Sequence, residues 1–224
     1  MAAYELAVAE AADMIEIDLH LSSDREIMIH HDANLERLGG AGEIRDHTDA
    51  ELAELIASPG TTLDQRIPTL ANVLDAFGER MQFNLELKVG STSAYEGMEK
   101  LALAAVRQRG LLPRMLFSSF YDGVLARLRA LSTEARLAIL VSPRAPTRIL
   151  ERAAAVGAEA INPEVSLVTS DLVGAAHAEG LAVYPYTEDD PDRMKRLLDA
   201  GVDGIITNHP ARLREILEAR EGAP

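Results

Sequence analysis

From residue 67 to the end of the chain, short apolar runs alternate with stretches of helical periodicity, and few folds accommodate that alternation. The runs are 83–88, 115–118, 137–141, 160–161, 182–186 and 204–207. Helices are expected at 95–108, 122–131, 146–156, 171–179, 191–200 and 210–219, with an earlier one at 68–77. Gly110, Gly157, Gly180 and Gly201 follow four of them, where a helix ends most readily in left-handed backbone. Strands separated by such helices pair in parallel, since a parallel neighbour is reached only by a crossover. A parallel sheet must be covered by helices, and 224 residues are enough to close one into a (β/α) barrel as a single domain.

The start of the chain supplies one more strand. In residues 14–19 the apolar Ile15, Ile17 and Leu19 alternate with Glu16 and Asp18, which therefore share the opposite face. Residues 22–25 have turn composition, and 26–29 form a short second strand ending in His30, His31 and Asp32. Residues 83–88 repeat the alternation: Phe83, Leu85 and Leu87 on one side, Asn84, Glu86 and Lys88 on the other. In a (β/α) barrel the outward face packs on helices, and the C-terminal ends of the strands carry the chemistry. Glu16, Asp18 and Glu86 thus converge, and three carboxylates without a thiolate or a His cluster suit a hard cation, Mg²⁺ or Ca²⁺.

Seven strands counted this way leave a barrel one short. The missing one would precede the helix expected at 2–12, so the chain is expected to start one strand late, with an open edge through which copies could associate. Residues 33–66 are irregular apart from a helix expected at 49–56, and are expected to be an inserted subdomain or rim, with Arg45, Asp46 and Asp49 at its surface. A net charge of −14 argues against nucleic acid or an anionic membrane as partner, and an anionic substrate would need a cation or a placed Lys or Arg. No apolar run could span a bilayer and no basic leader opens the chain, so a cytoplasmic protein is expected.

Taken together, Glu16-Ile17-Asp18, Ile29-His30-His31-Asp32 with Leu35 and Arg37, Ile67-Pro68-Thr69-Leu70, Glu86-Leu87-Lys88 and the run 201–208 (Gly-Val-Asp-Gly-Ile-Ile-Thr-Asn) resemble the glycerophosphodiester phosphodiesterase family in order and spacing. The resemblance implies a TIM barrel that hydrolyses a small glycerophosphodiester to glycerol 3-phosphate and an alcohol. It implies that Glu16, Asp18 and Glu86 bind a divalent cation, that His31 is a general acid/base, and that Lys88 contacts the phosphate.

Two features depart from the family pattern. Its opening His-Arg-Gly strand has no counterpart here. Its Trp-Thr-x-Asn near the seventh strand is replaced by Tyr186-Thr187-Glu188-Asp189, where Tyr186 can still form an aromatic wall against the substrate. One positioned acid/base is worth about 10²–10⁴ in rate, so a barrel that binds cation and phosphodiester without turnover is the alternative reading. A lysophospholipid phosphodiesterase is a further one, although it would want an apolar rim and this chain has no Trp and only 4% aromatic residues. His30 is expected to be structural, and His20 to line the rim outside the catalytic set. His47, His177 and His209 are expected to face solvent, and the acidic run 188–190 to cap the helix that starts at Pro191.

Overall fold

The computed structural model describes residues 1–55 and 66–221. Helix α1 (Ala2–Ala9) leads into strand β1 (Met14–Leu21), which turns into β2 (Ile27–Ile29). A short helix, α2 (Asp49–Leu52), then precedes α3 (Leu70–Phe77) and β3 (Gln82–Leu87). From there helix and strand alternate: α4 (Met98–Gln108), β4 (Met115–Ser119), α5 (Asp122–Leu131), β5 (Arg136–Val141), α6 (Ile149–Val156), β6 (Ala160–Pro163), α7 (Ser170–Ala178) and β7 (Ala182–Val183). Two helices, α8 (Pro191–Asp199) and α9 (Pro210–Glu221), complete the chain. The strands form one sheet in the order β2-β1-β3-β4-β5-β6-β7, parallel throughout except for the hairpin β1–β2.

The expected alternation of faces holds. Ile15, Ile17 and Leu19 of β1, Phe83, Leu85 and Leu87 of β3 and Leu137, Ile139 and Val141 of β5 are buried under the helices. On the inner side Leu116, Ala138 and Ala160 form a small apolar floor, joined by Met14 from β1 and by Ala182 and Tyr184. Since Met14 lies at one end of the sheet and Ala182 at the other, the sheet has curled until its two ends share that floor. Local signals fix the helix boundaries. Thr69 caps α3 in a reciprocal box with Asn72, Thr169 accepts from the Leu172 N–H, and Asp190 caps α8, whose first residue is Pro191. Gly110, Gly157, Gly180 and Gly201 all have positive φ.

Several boundaries differ from expectation. Helix α1 stops at Ala9, and Ala11 then adopts a left-handed φ of 56°. Helix α4 starts after Gly97 (φ 73°), which leaves Tyr95 in the loop, and α6 starts at Ile149. Strand β7 is only two residues long, although the Tyr184 and Tyr186 N–H groups still donate to the Ile161 and Pro163 carbonyls and Tyr186 forms an isolated bridge to Glu164. The run 204–207 is not a strand. It lies alongside β7 and the residues that follow it through three bonds, Asp203 N–H to Val183 O (3.1 Å), Ile206 N–H to Pro185 O (2.9 Å) and Glu188 N–H to Ile206 O (3.1 Å). Of the 49–56 helix, α2 is the described part. Ile56 and the turn at Ser58-Pro59-Gly60 lie outside the described residues.

Beyond β2, which pairs only with Leu19–Leu21, no described strand flanks the far side of β1 from Met14 to Asp18. The gap is bridged at the outer wall, where Arg214 of α9 donates to the Ala11 carbonyl and pairs with Asp13 at 2.7 Å, and Glu10 accepts from the Ala211 N–H. No described helix is long and apolar enough to cross a membrane.

Candidate active site

Register explains the convergence seen in the sequence. β1 and β3 pair Glu16 with Asn84 and Asp18 with Glu86, so like-facing side chains stand side by side across two parallel strands. Glu16, Asp18 and Glu86 each offer a carboxylate oxygen, and these oxygens lie within 4.8 Å of one another. Lys88, two residues beyond Glu86, places its ammonium 2.9 Å from Asp18 Oδ1 and 3.0 Å from Glu86 Oε1. The Oε1 of Glu16 is buried and has no hydrogen-bond partner. A carboxylate oxygen in that position is costly unless a proton or a cation shares it.

The electrostatics follow from burial. Burial, then the charges of Asp18 and Glu86, push the Glu16 carboxyl well above its usual range, against the opposing pull of Lys88. Glu86 rises to about 7 because it is buried, Lys88 offsetting part of the effect. Burial alone would lower the Lys88 ammonium, but Glu86 and Asp18 overcome it and hold the proton more firmly than in water. Such a set accepts a hard divalent cation readily, since a cation satisfies the lone Glu16 oxygen and removes the mutual repulsion.

An open cleft of about 250 Å³ lies above the cluster, lined by His20, His31, Asp32, Glu86, Lys88, Phe120 and Tyr121 among others. A larger groove of about 400 Å³ between α8 and α9 gathers no comparable chemistry. His31 is largely exposed, and its Nδ1 is 2.8 Å from Asp32 Oδ1. Asp32 is also paired with Arg37 at 3.3 Å. The bond to His31, and secondarily that to Arg37, holds the Asp32 carboxyl below its usual range. Asp32 therefore fixes the ring through Nδ1 and leaves Nε2 free for proton transfer.

Of the sequence-predicted residues, Glu16, Asp18, Glu86 and Lys88 meet directly, and His31 lines the same cleft. Tyr186 stands behind that wall. Its hydroxyl donates to the Val141 carbonyl at 3.1 Å, and its ring meets Phe120 edge-on at 5.8 Å. Burial, then Glu86 and Glu164, raise its phenol to about 12. The aromatic surfaces that line the cleft belong to Phe120 and Tyr121, which sequence reasoning missed. Phe120 shares parity with the inward-facing Ser118, the one signal that could have found it.

Other residues singled out in the sequence fall as follows. His20 is almost fully buried, and burial lowers its imidazole to about 4. Arg45, expected at the surface, lays its guanidinium over the Tyr95 ring, 4.5 Å from the centroid. His177 is exposed as expected and pairs there with Asp203 at 2.9 Å. The acidic run 188–190 supplies the expected cap of α8 through Asp190. Glu188 is buried and accepts from the N–H groups of Asp189 and Asp190, while Asp189 accepts from Thr207 and Asn208. His30 is structural as expected, its Nδ1 bonded within the turn at Asp32.

Comparison with known proteins places this geometry. A glycerophosphodiester phosphodiesterase of Bacillus altitudinis is 33% identical over 97% of this chain and 91% of its own length. One from Bacillus subtilis (strain 168) is 30% identical over 92% of this chain and 77% of its own. Among solved structures, a phosphodiesterase of Oleispira antarctica in complex with the product sn-glycerol-3-phosphate superposes with a TM-score of 0.85. It is 28% identical, and the match covers 97% of this chain and 90% of that one. A Silicibacter pomeroyi structure at 24% identity shares the same barrel fold with a TM-score of 0.86, over 97% of this chain and 87% of its own. Residues 1–212 match the glycerophosphoryl diester phosphodiesterase family, and the chain belongs to that family.

Proposed function

We propose that this chain hydrolyses small glycerophosphodiesters to glycerol 3-phosphate and an alcohol, with a divalent cation held by Glu16, Asp18 and Glu86. The observation that carries the reading is the meeting of three carboxylates and one lysine at the mouth of the barrel, with the partnerless Glu16 oxygen among them. The family match and the product-bound relative support the substrate class. Mg²⁺ or Ca²⁺ suits the all-oxygen donor set, and such a cation supplies charge to the phosphate and makes a bound hydroxyl or water more acidic.

The chain's own residues then have distinct tasks. Lys88 turns its ammonium toward a phosphate oxygen and stabilises negative charge as the phosphorus becomes crowded. As a water oxygen bonds to phosphorus and releases one proton to the solvent of the open cleft, the bond from phosphorus to the leaving alcohol breaks. His31 moves the proton at Nε2 to the leaving oxygen, and Asp32 steadies the imidazolium through Nδ1. Phe120 and Tyr121 form one wall of the cleft, and Tyr186 holds Phe120 edge-on from behind.

The test is release of glycerol 3-phosphate from glycerophosphocholine with Mg²⁺, with Ca²⁺ and with chelator. Turnover that needs the cation and disappears in Glu86→Gln is the expected result. Cation binding with no turnover at long incubation would favour the binding-protein alternative, and wild-type rates in Glu86→Gln would overturn the scheme.

A further inference from the structure

We propose that His20 and Tyr95 are positioning residues for His31, clamped from outside by Arg45. The inference rests on the acid/base role proposed above for His31. His20 has the same parity as Glu16 and Asp18 and lies one step further toward the mouth of the barrel, so a direct part in the chemistry would be the first guess. Its hydrogen bonds argue otherwise. Nδ1 is 2.8 Å from the Tyr95 hydroxyl, and Nε2 is 3.5 Å from the main-chain oxygen of His31. A carbonyl can only accept, so Nε2 carries the hydrogen and the Tyr95 hydroxyl donates to Nδ1. Both nitrogens are occupied, which leaves none to bind a cation or take a proton from substrate.

The bond to His31 falls where it matters. β2 ends at Ile29, and among the described residues no other hydrogen bond reaches the His31 main chain. The imidazole proposed to move the proton is thus held at its ring by Asp32 and at its backbone by His20.

Tyr95 is in turn kept from rotating. It is buried, with its ring edge-on to that of His20 at 5.6 Å. The guanidinium of Arg45 covers its face and donates to Ser93 through both Nη atoms, at 3.0 Å to Oγ and 2.6 Å to the carbonyl. That guanidinium fills the space where a Cβ on Gly90 would stand. The loop that follows Lys88 is therefore folded around one arginine from the 33–55 segment, and the tyrosine it fixes reaches the acid/base histidine through a single imidazole. A buried histidine with a purely structural role would need two partners. It would not need one of them to be the backbone of His31.

The experiment compares Tyr95→Phe, His20→Leu and His20→Gln with wild type in the cation-loaded chain, by steady-state turnover of glycerophosphocholine, by NMR of the histidine ring protons, and by melting temperature. Tyr95→Phe removes one oxygen and keeps the ring. Glutamine can still donate to the His31 carbonyl, whereas leucine cannot. The expected result is a kcat lowered about tenfold in Tyr95→Phe and about a hundredfold in His20→Leu, with KM nearly unchanged and partial recovery in His20→Gln. The His31 ring resonance should shift and broaden in the same order. Should the wild type show no turnover, the acid/base reading fails on its own, and the His31 resonance alone then decides the positioning claim. An unmoved His31 resonance in His20→Leu would overturn it. So would a loss of kcat in Tyr95→Phe matched by an equal loss of cation affinity, since the effect would then run through the carboxylates.

Discussion

Replacing Glu16 by glutamine should make the cation-free chain more stable and abolish its thermal response to divalent cations. The oxygens of Glu16, Asp18 and Glu86 lie within 4.8 Å of one another, and two unit charges at that separation repel by about 3 kcal/mol at an effective dielectric constant of about 20. Lys88 bonds Asp18 and Glu86 and compensates most of their share, while Glu16 Oε1 has no partner. After that compensation, removing the Glu16 charge is worth about 1–3 kcal/mol, or about 2–12 °C for a domain of this size. The gain must depend on pH with a definite sign. Burial raises the folded-state Glu16 and Glu86 carboxyls, the latter to about 7, so the native state binds their protons more tightly than the unfolded chain does. Stability from this source is therefore present below the ordinary carboxylate value of 4.5 and is lost as pH rises toward about 7. The advantage of Glu16→Gln should be larger at pH 8 than at pH 5. Melting curves in chelator at both values, repeated with Mg²⁺ and Ca²⁺, provide the assay. A variant that melts below wild type at pH 8 in chelator would refute the reasoning, and so would one that still gains stability from the cation.

Two further substitutions probe neighbouring parts. Lys88→Met should lower kcat/KM about a hundredfold and destabilise the chain in chelator by about 3 kcal/mol, because Asp18 and Glu86 lose the ammonium that joins them. Added cation should restore the melting temperature but not the rate, and a variant as stable as wild type in chelator would contradict this. Asp189→Ala should cost about 1–2 kcal/mol in urea unfolding at pH 7, since Asp189 accepts from the Thr207 hydroxyl and from the backbone and side chain of Asn208. Those bonds hold its carboxyl below 3.8 despite partial burial, so this stability is present above that pH and is lost as pH falls through the lower folded value. Equal losses at pH 7 and pH 3 would count against the assignment.

Where strand parity was decisive, the site could be read from the sequence. Glu16 and Asp18 on one strand, Glu86 and Lys88 on another, meet because parallel pairing aligns like faces, and a period of two is enough to see it. Parity reaches neither loops nor donors that are absent. Tyr95 lies one turn before α4, and helical periodicity absorbed it into that helix. Arg45 has the composition of a surface residue, and only the missing side chain at Gly90 lets it in. The run 204–207 reads as a strand, yet Pro185 removes a donor its neighbour would need, and the ladder thins to three bonds. Phe120 and Tyr121 follow β4 after its alternation has ended. The fold could thus be read wherever burial sets a period, and the site failed to show where single side chains pack across loops.

Arg45 and Gly90 also bear on how this barrel can change over generations. Any side chain at position 90 would push aside the guanidinium that Tyr95 and Ser93 hold in place, so a larger residue there is least costly after position 45 has shortened. The reverse order is open, since losing the arginine leaves a glycine free to drift. Lineages that keep arginine at 45 should therefore keep glycine at 90, and those that have lost the arginine should show a mixture at 90.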